Sequence, residues 1–154
     1  MTARIRAARG HERDAVLSLY EWLFAPPGSM PPGWDPGRAA VALEEAIASE
    51  RAAVLVAEEG GALVGLCTAY LDLHSVRFGH RCWVEDLAVA PEHRSQGIGA
   101  ALLDAAGRWA AGQGATHLEL DTGEARTDAQ RFYERRGPAW RSVCYAFLLE
   151  PGSG

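Results

Sequence analysis

Apolar residues along the chain keep two periods, and the changes between them mark out the elements. Val16, Leu19, Tyr20 and Leu23 recur at the i, i+3, i+4, i+7 spacing of one helix face and predict a helix over 11–24. Arg4-Ile5-Arg6, ahead of it, reads as a short strand. Residues 25–37 (APPGSMPPGWDPG) carry too many prolines and glycines to be regular. They close on Asp35-Pro36, an oxygen-bearing N-cap followed by proline at the first helical position. The helix opened there puts Ala40, Leu43 and Ile47 on one face and leaves Glu44 and Glu45 off it. Residues 53–58 (AVLVAE) read as a strand, Glu59-Gly60-Gly61 as a tight turn and 62–71 as the hairpin partner. A loop over 72–79 leads to a further strand over 81–89 (RCWVEDLAV). A helix then runs to about residue 112, with Ile98, Leu102, Ala105, Ala106 and Trp109 as its apolar stripe. A strand over 116–121, a short helix over 128–136 and a last strand over 143–149 complete the chain. This order predicts one domain over 1–154, of the α+β kind within the broad α/β class.

Composition narrows what such a domain does. With 154 residues and 48% hydrophobic content, a packed core is expected. A formal charge of −5 argues against a nucleic-acid partner and permits a cationic small molecule. All 15 basic residues are arginine, which excludes Schiff-base or Walker-lysine chemistry. Cys67, Cys82 and Cys144 lie far apart in apolar runs, so they suggest small buried hydrophobes rather than disulfides or a zinc site. None of the five histidines (His11, His74, His80, His93, His117) pairs with another ligand at helical spacing, so no metal is expected. The N-terminus lacks the apolar run of a secretory signal and no stretch approaches membrane-spanning length, so a cytoplasmic protein without a membrane partner is expected.

One stretch breaks the local rules. In PEHRSQGIGAALL (residues 91–103), two glycines stand where a helix begins. A helix N-terminus carries unpaired N–H groups and the positive end of the dipole. Glycine lets a ligand approach that backbone. Arg94-Ser95-Gln96-Gly97-Ile98-Gly99-Ala100 therefore reads as a phosphate cradle, against the plainer alternative of a turn. It is no Walker loop. A dinucleotide fingerprint is disfavoured because position 102 is Leu102 and residues 90–96 separate strand from glycine.

Arg94-x-x-Gly97-x-Gly99, after VEDLAV and before an amphipathic helix, resembles motif A of the GNAT superfamily of N-acetyltransferases. Ala129-Gln130-Arg131-Phe132-Tyr133-Glu134-Arg135-Arg136-Gly137 is similar to that family's second signature. The resemblance implies a single GNAT-like domain with a central mixed twisted sheet of about six or seven strands flanked by about four helices. It implies acetyl-CoA as cofactor, held by Arg94 to Ala100. The oxyanion would lie on a backbone N–H within Leu87-Ala88-Val89, and Tyr133 would be the acid that protonates the leaving thiolate. Tyr133 could also be a packing residue beside Phe132. An amine with a pKa of about 10.4 must lose a proton before it attacks. Glu85, mid-strand, is the candidate base, with Asp86 or a water relay as alternatives; Glu85 could equally pair with Arg81 or Arg141. Regular pairing would turn Asp86 to the opposite face, although the family has a bulge in this strand. Trp34, Glu85 and Asp86 are candidates for binding the acceptor, and His74 and His80 could line it.

Departures from the pattern matter too. Arg126 stands where many members have asparagine and could reach a coenzyme phosphate; Pro138 stands where many have phenylalanine and puts the late strands in doubt. Val84-Glu85-Asp86-Leu87 and the Arg131–Gly137 stretch look similar to diamine or polyamine acetyltransferases. The reaction implied is acetyl transfer to a primary amine of a small molecule by direct attack on the thioester. Protein, peptide or antibiotic amines, and a non-catalytic acyl-CoA sensor, are the alternatives. Relatives are commonly dimers, so a homodimer is the implied assembly.

Overall fold

The computed structural model describes residues 2–152. The chain divides into two compact units, the first running to Leu120 and the second beginning at Asp121.

In the first unit, five strands form one sheet in the order β1 (Arg4–Ala7), β2 (Ala52–Glu59), β3 (Ala62–Ser75), β4 (Gly79–Val89), β5 (His117–Glu119). The first three pairings are antiparallel and the last, β4 with β5, is parallel. Alternation sorts β2 onto two faces. Ala53, Leu55 and Ala57 join one buried cluster with Ile98, Leu102 and Ala106 of α4 (Ile98–Gly112). Val54 and Val56 join another with Val16 of α1 (Arg13–Ser18) and with Leu43 and Ala46 of α3 (Pro36–Ala48). The sheet is thus sandwiched, with α4 on one face and α1 and α3 on the other. α4 crosses close over Gly65: a Cβ there would meet Leu102 Cδ1 at 3.0 Å and Ile98 Cγ2 at 3.2 Å.

Several expectations hold and several change. Asp35 caps α3 as expected, its carboxylate accepting from Gly37 N and Arg38 N. The helix expected over 11–24 is broken at Leu19-Tyr20, so that α2 (Glu21–Phe24) is a separate turn. The loop expected over 72–79 is mostly strand, since β3 runs on to Ser75 with a bulge between Leu71 and Leu73. Among the described residues the sheet has five strands rather than six or seven.

The second unit holds α5 (Thr127–Arg135). No strand forms over 143–149. Val143, Tyr145, Phe147 and Leu149 keep the period-2 pattern but stand 75–90% exposed. A strand needs a ladder partner, and among its described residues this unit contains no strand to supply one. Cys144 is exposed, unlike Cys67 and Cys82, which are buried as small hydrophobes.

Candidate active site

The site begins where β4 and β5 part. They pair only at Arg81↔His117, Cys82↔Leu118 and Trp83↔Glu119. Arg81 pins that end: it bonds Asp72 at 2.8 Å and Glu119 at 3.1 Å, and lies 5.0 Å over the Trp83 ring. Beyond Trp83, β4 continues to Val89 with no partner strand on that edge among the described residues. Asp86 N donates to Thr68 Oγ1 and Ala90 N to Val64 O, both on β3. Backbone alternation then turns the N–H groups of Leu87 and Val89 to the open edge, with Ala88 between them facing β3.

The chain leaves β4 through a single 3₁₀ turn (Pro91–His93) into the glycine loop. Ser95 (φ 63°) and Gly97 (φ 84°) both adopt left-handed backbone, and Gly97 is the N-cap of α4. No side chain caps that N-terminus, so Ile98, Gly99 and Ala100 present N–H groups without an intrahelical partner. A left-handed residue leading into such a turn makes a concave nest of N–H groups that favours an anion. A Cβ on Gly97 would meet nothing within 4 Å, so the space in front of the loop is open. Arg94 Nε donates to Val89 O at 3.2 Å, which ties the loop back to the end of the open edge; Gln96 is exposed beside it. His93 adds a second tie, its Nε2 lying 2.9 Å from Glu59 Oε2. These features fit a pyrophosphate-bearing donor such as acetyl-CoA.

The carboxylates stand at the other end of the open edge, and a bulge decides where they face. Asp86 pairs with Thr68 and Val84 with Ala69, so Glu85 is the extra residue on β4. Trp83 pairs with Tyr70, and Tyr70 and Thr68 share one face of β3. Trp83 and Asp86 therefore share that face too. The Trp83 indole donates to Glu85 Oε2 at 2.6 Å, which brings Glu85 to the same side. The bulge rather than regular alternation thus sets Asp86 on the side of Glu85, and Arg81 bonds Asp72 and Glu119 rather than Glu85; within the second unit Arg141 bonds Glu134.

The two carboxylates differ. Glu85 is exposed. Asp86 is largely buried, and Tyr20 Oη and Thr68 Oγ1 each donate to its Oδ2 at 2.7 Å. Burial raises the Asp86 carboxyl above its ordinary range, while the bonds from Thr68 and Tyr20 pull the other way. Burial, then the Asp86 charge, raises Tyr20 in turn, so the phenol keeps its proton and donates. Tyr20 stacks on Trp34 at 6.4 Å, and Phe24 meets Trp34 edge-on at 4.8 Å. Trp34 of the irregular segment is thereby placed beside Asp86 through Tyr20. His74 and His80 stack on each other at 4.0 Å at the far end of the β3–β4 hairpin.

Tyr133 and Arg126 belong to the second unit. Tyr133 lies on α5 with its ring 5.2 Å from that of Phe132, and Arg126 is the residue preceding α5. Sequence reasoning missed Tyr20, Thr68, Tyr70 and Trp83. Tyr20 was legible only as part of an apolar stripe, and the other three only as strand residues.

A sheet that splits along one parallel pair, with an anion nest where the free strand ends, defines an α/β domain built to grip an extended phosphate-bearing group. The acetyltransferase (GNAT) family matches residues 16–137, most of the chain, and the chain belongs to that family. It is 36% identical over 91 residues to the uncharacterized N-acetyltransferase YhdJ of Bacillus subtilis (strain 168), covering 59% of this chain and 63% of that protein. It is likewise 36% identical over 85 residues to the aminoalkylphosphonate N-acetyltransferase of Salmonella typhimurium, covering 53% of each. The chain thus spans less than two thirds of the length of these curated relatives. Its fold is similar to that of AAC(6')-Iy, solved in complex with the bisubstrate analog CoA-S-monomethyl-acetylneamine, with a TM-score of 0.80 at 20% identity, covering 97% of this chain and 100% of that one. No helix among the described residues is long and apolar enough to cross a membrane.

Proposed function

We propose that the chain is an N-acetyltransferase that moves the acetyl group of acetyl-CoA to a primary amine of a small, polycationic molecule. The observation that carries this is the open half of β4, which starts at two carboxylates and ends in an anion nest. A coenzyme lying along that edge, its pyrophosphate on Arg94 to Ala100, would bring its thioester toward Leu87 and Val89. Their outward N–H groups are suited to the oxyanion that forms when the amine attacks. Glu85 or Asp86, directly or through water, removes the amine proton. The C–N bond forms, the C–S bond breaks, and a thiol of ordinary pKa about 8.5 leaves. In this reading Tyr133 gives that sulfur its proton, Arg126 reaches a coenzyme phosphate, and the whole chain works as one catalytic domain.

Two carboxylates beside the Tyr20, Phe24 and Trp34 rings suit an acceptor with more than one positive charge. They disfavour an acceptor such as an aminoalkylphosphonate, whose own anion would face them. Polyamines and aminoglycosides both fit, and the likeness in fold to an aminoglycoside N-acetyltransferase supports the second. The test is thiol release from acetyl-CoA across polyamines, aminoglycosides, aminophosphonates, amino acids and short peptides. Turnover confined to polycations is expected. Turnover of aminophosphonates alone would overturn the acceptor class, and silence with tight acetyl-CoA binding would leave a non-catalytic acyl-CoA sensor.

A further inference from the structure

The two oxygens of Asp86 are unequal. Oδ2 accepts both protein hydrogen bonds, from Tyr20 and from Thr68. Oδ1 accepts none from the described residues and is not sealed from solvent. Thr68 Oγ1 also accepts from Asp86 N at 3.2 Å, so strand and side chain are fixed by one hydroxyl. Tyr20 comes from the break between α1 and α2 and stacks on Trp34, so it joins the β4 carboxylate to the aromatic wall. The titratable groups near Asp86 are Tyr20 from that break, Tyr70 from β3 and Glu85 from its own strand, on the same face, and Cys67 behind them on the opposite face of β3. None is a cation. The Cys67 thiol is pushed up to about 12, chiefly by burial, and Tyr70 is raised for the same reason, so both stay neutral. A largely buried carboxylate with two neutral donors and no cationic partner among the described residues is suited to receive a cation from outside.

We infer that Tyr20 is a positioning residue that holds Asp86 with Oδ1 presented to the acceptor, and that Asp86 rather than Glu85 takes the proton of the acceptor ammonium. This rests on the transferase reading above. The step balances: the ammonium gives one proton to Oδ1, the neutral amine attacks the thioester carbon, the C–S bond breaks, the sulfur takes the Tyr133 proton of the reading above, and the second nitrogen proton restores that phenol. Asp86 returns its proton to solvent through the same open oxygen. Glu85, exposed and bonded to the Trp83 indole, then contributes field and binding rather than proton transfer.

The test pairs a ¹³C NMR titration of the Asp86 carboxyl with the pH profile of kcat/KM for whichever amine the panel identifies, in the wild type and in Tyr20→Phe. Acetyl-CoA affinity and Tm serve as controls for the fold. In the wild type, the acid limb of kcat/KM should fall at the Asp86 midpoint. Loss of the phenol removes a donor to the charged form, so both should move upward together, by about one pH unit. At high pH the Tyr20→Phe rate should return to within about threefold of wild type. A carboxyl midpoint that moves while the limb stays put would overturn the inference, as would an unmoved midpoint. A wild-type limb away from the Asp86 midpoint overturns it without any variant. Silence of the wild type toward every amine, with acetyl-CoA still bound, is a different result: the transferase reading falls and takes the inference with it.

Discussion

The two ends of the open half of β4 are made of different material. At the Gly97 end the groups proposed to hold the coenzyme are backbone N–H groups, held by a left-handed loop and a helix start, with no side chain capping them. At the Asp86 end the groups proposed to meet the acceptor are side chains from three separate elements, brought together by one inserted residue and a broken helix. A backbone site is tolerant of its neighbours and intolerant of a Cβ. A side-chain site is sensitive to the replacement of a single hydroxyl or carboxylate, and here also to the bulge that turns both carboxylates to one face.

The sharpest way to break this comparison is Gly97→Val. No protein atom would meet the new Cβ, so the fold should persist, weakened by about 1–2 kcal/mol for the left-handed backbone. Acetyl-CoA affinity, read by calorimetry, should fall at least about a hundredfold, because the ligand's own space is invaded. Unchanged affinity would remove the nest from the site. Asp86→Asn should do the opposite: kcat/KM falls by roughly 10²–10³ with acetyl-CoA affinity intact. Glu85→Gln beside it should cost no more than about tenfold and leave the acid limb in place; a lost limb would make Glu85 the base. Tyr133→Phe should lower kcat by about tenfold with little effect on coenzyme affinity, since a thiol of low pKa needs only modest help to leave. An unaltered rate across pH would free Tyr133 of the acid's role.

The smallest effect on activity is expected away from both ends, at Glu12. Arg6 bonds both Glu12 and Glu58, and the Arg6 hydrogen bonds hold the Glu12 carboxyl down at about 2. A depressed carboxylate stabilises the fold above its unfolded pKa and loses that contribution as pH falls through the folded value. Thermal melts from pH 6 down to pH 2 should therefore show a steeper loss for wild type than for Glu12→Gln. The variant should be less stable by about 2 kcal/mol at pH 7 and unchanged in turnover. Parallel melting curves would show that the ion pair is not formed in solution.

Much of the frame was legible in the chain. The period-2 runs gave β2, most of β3 and β4, the 3.6-residue stripe of Ile98, Leu102 and Ala106 gave α4, and Asp35-Pro36 gave the start of α3. These are local signals, set by propensity and by which face must leave water. The strand expected over 143–149 shows where that logic stops, because alternation proposes a strand while only a neighbour's ladder makes one. Glu85 and Asp86 were legible as carboxylates on β4, and regular alternation would have sent them to opposite faces.

The sequence by itself marked the glycine loop proposed as the anion nest, because left-handed backbone and an uncapped helix start are properties of a few consecutive residues. Only the tertiary structure decided the carboxylate face proposed for the acceptor. Where a strand inserts its extra residue depends on the register of its partner, and which hydroxyls reach the buried carboxylate depends on where a broken helix lays Tyr20 across the sheet.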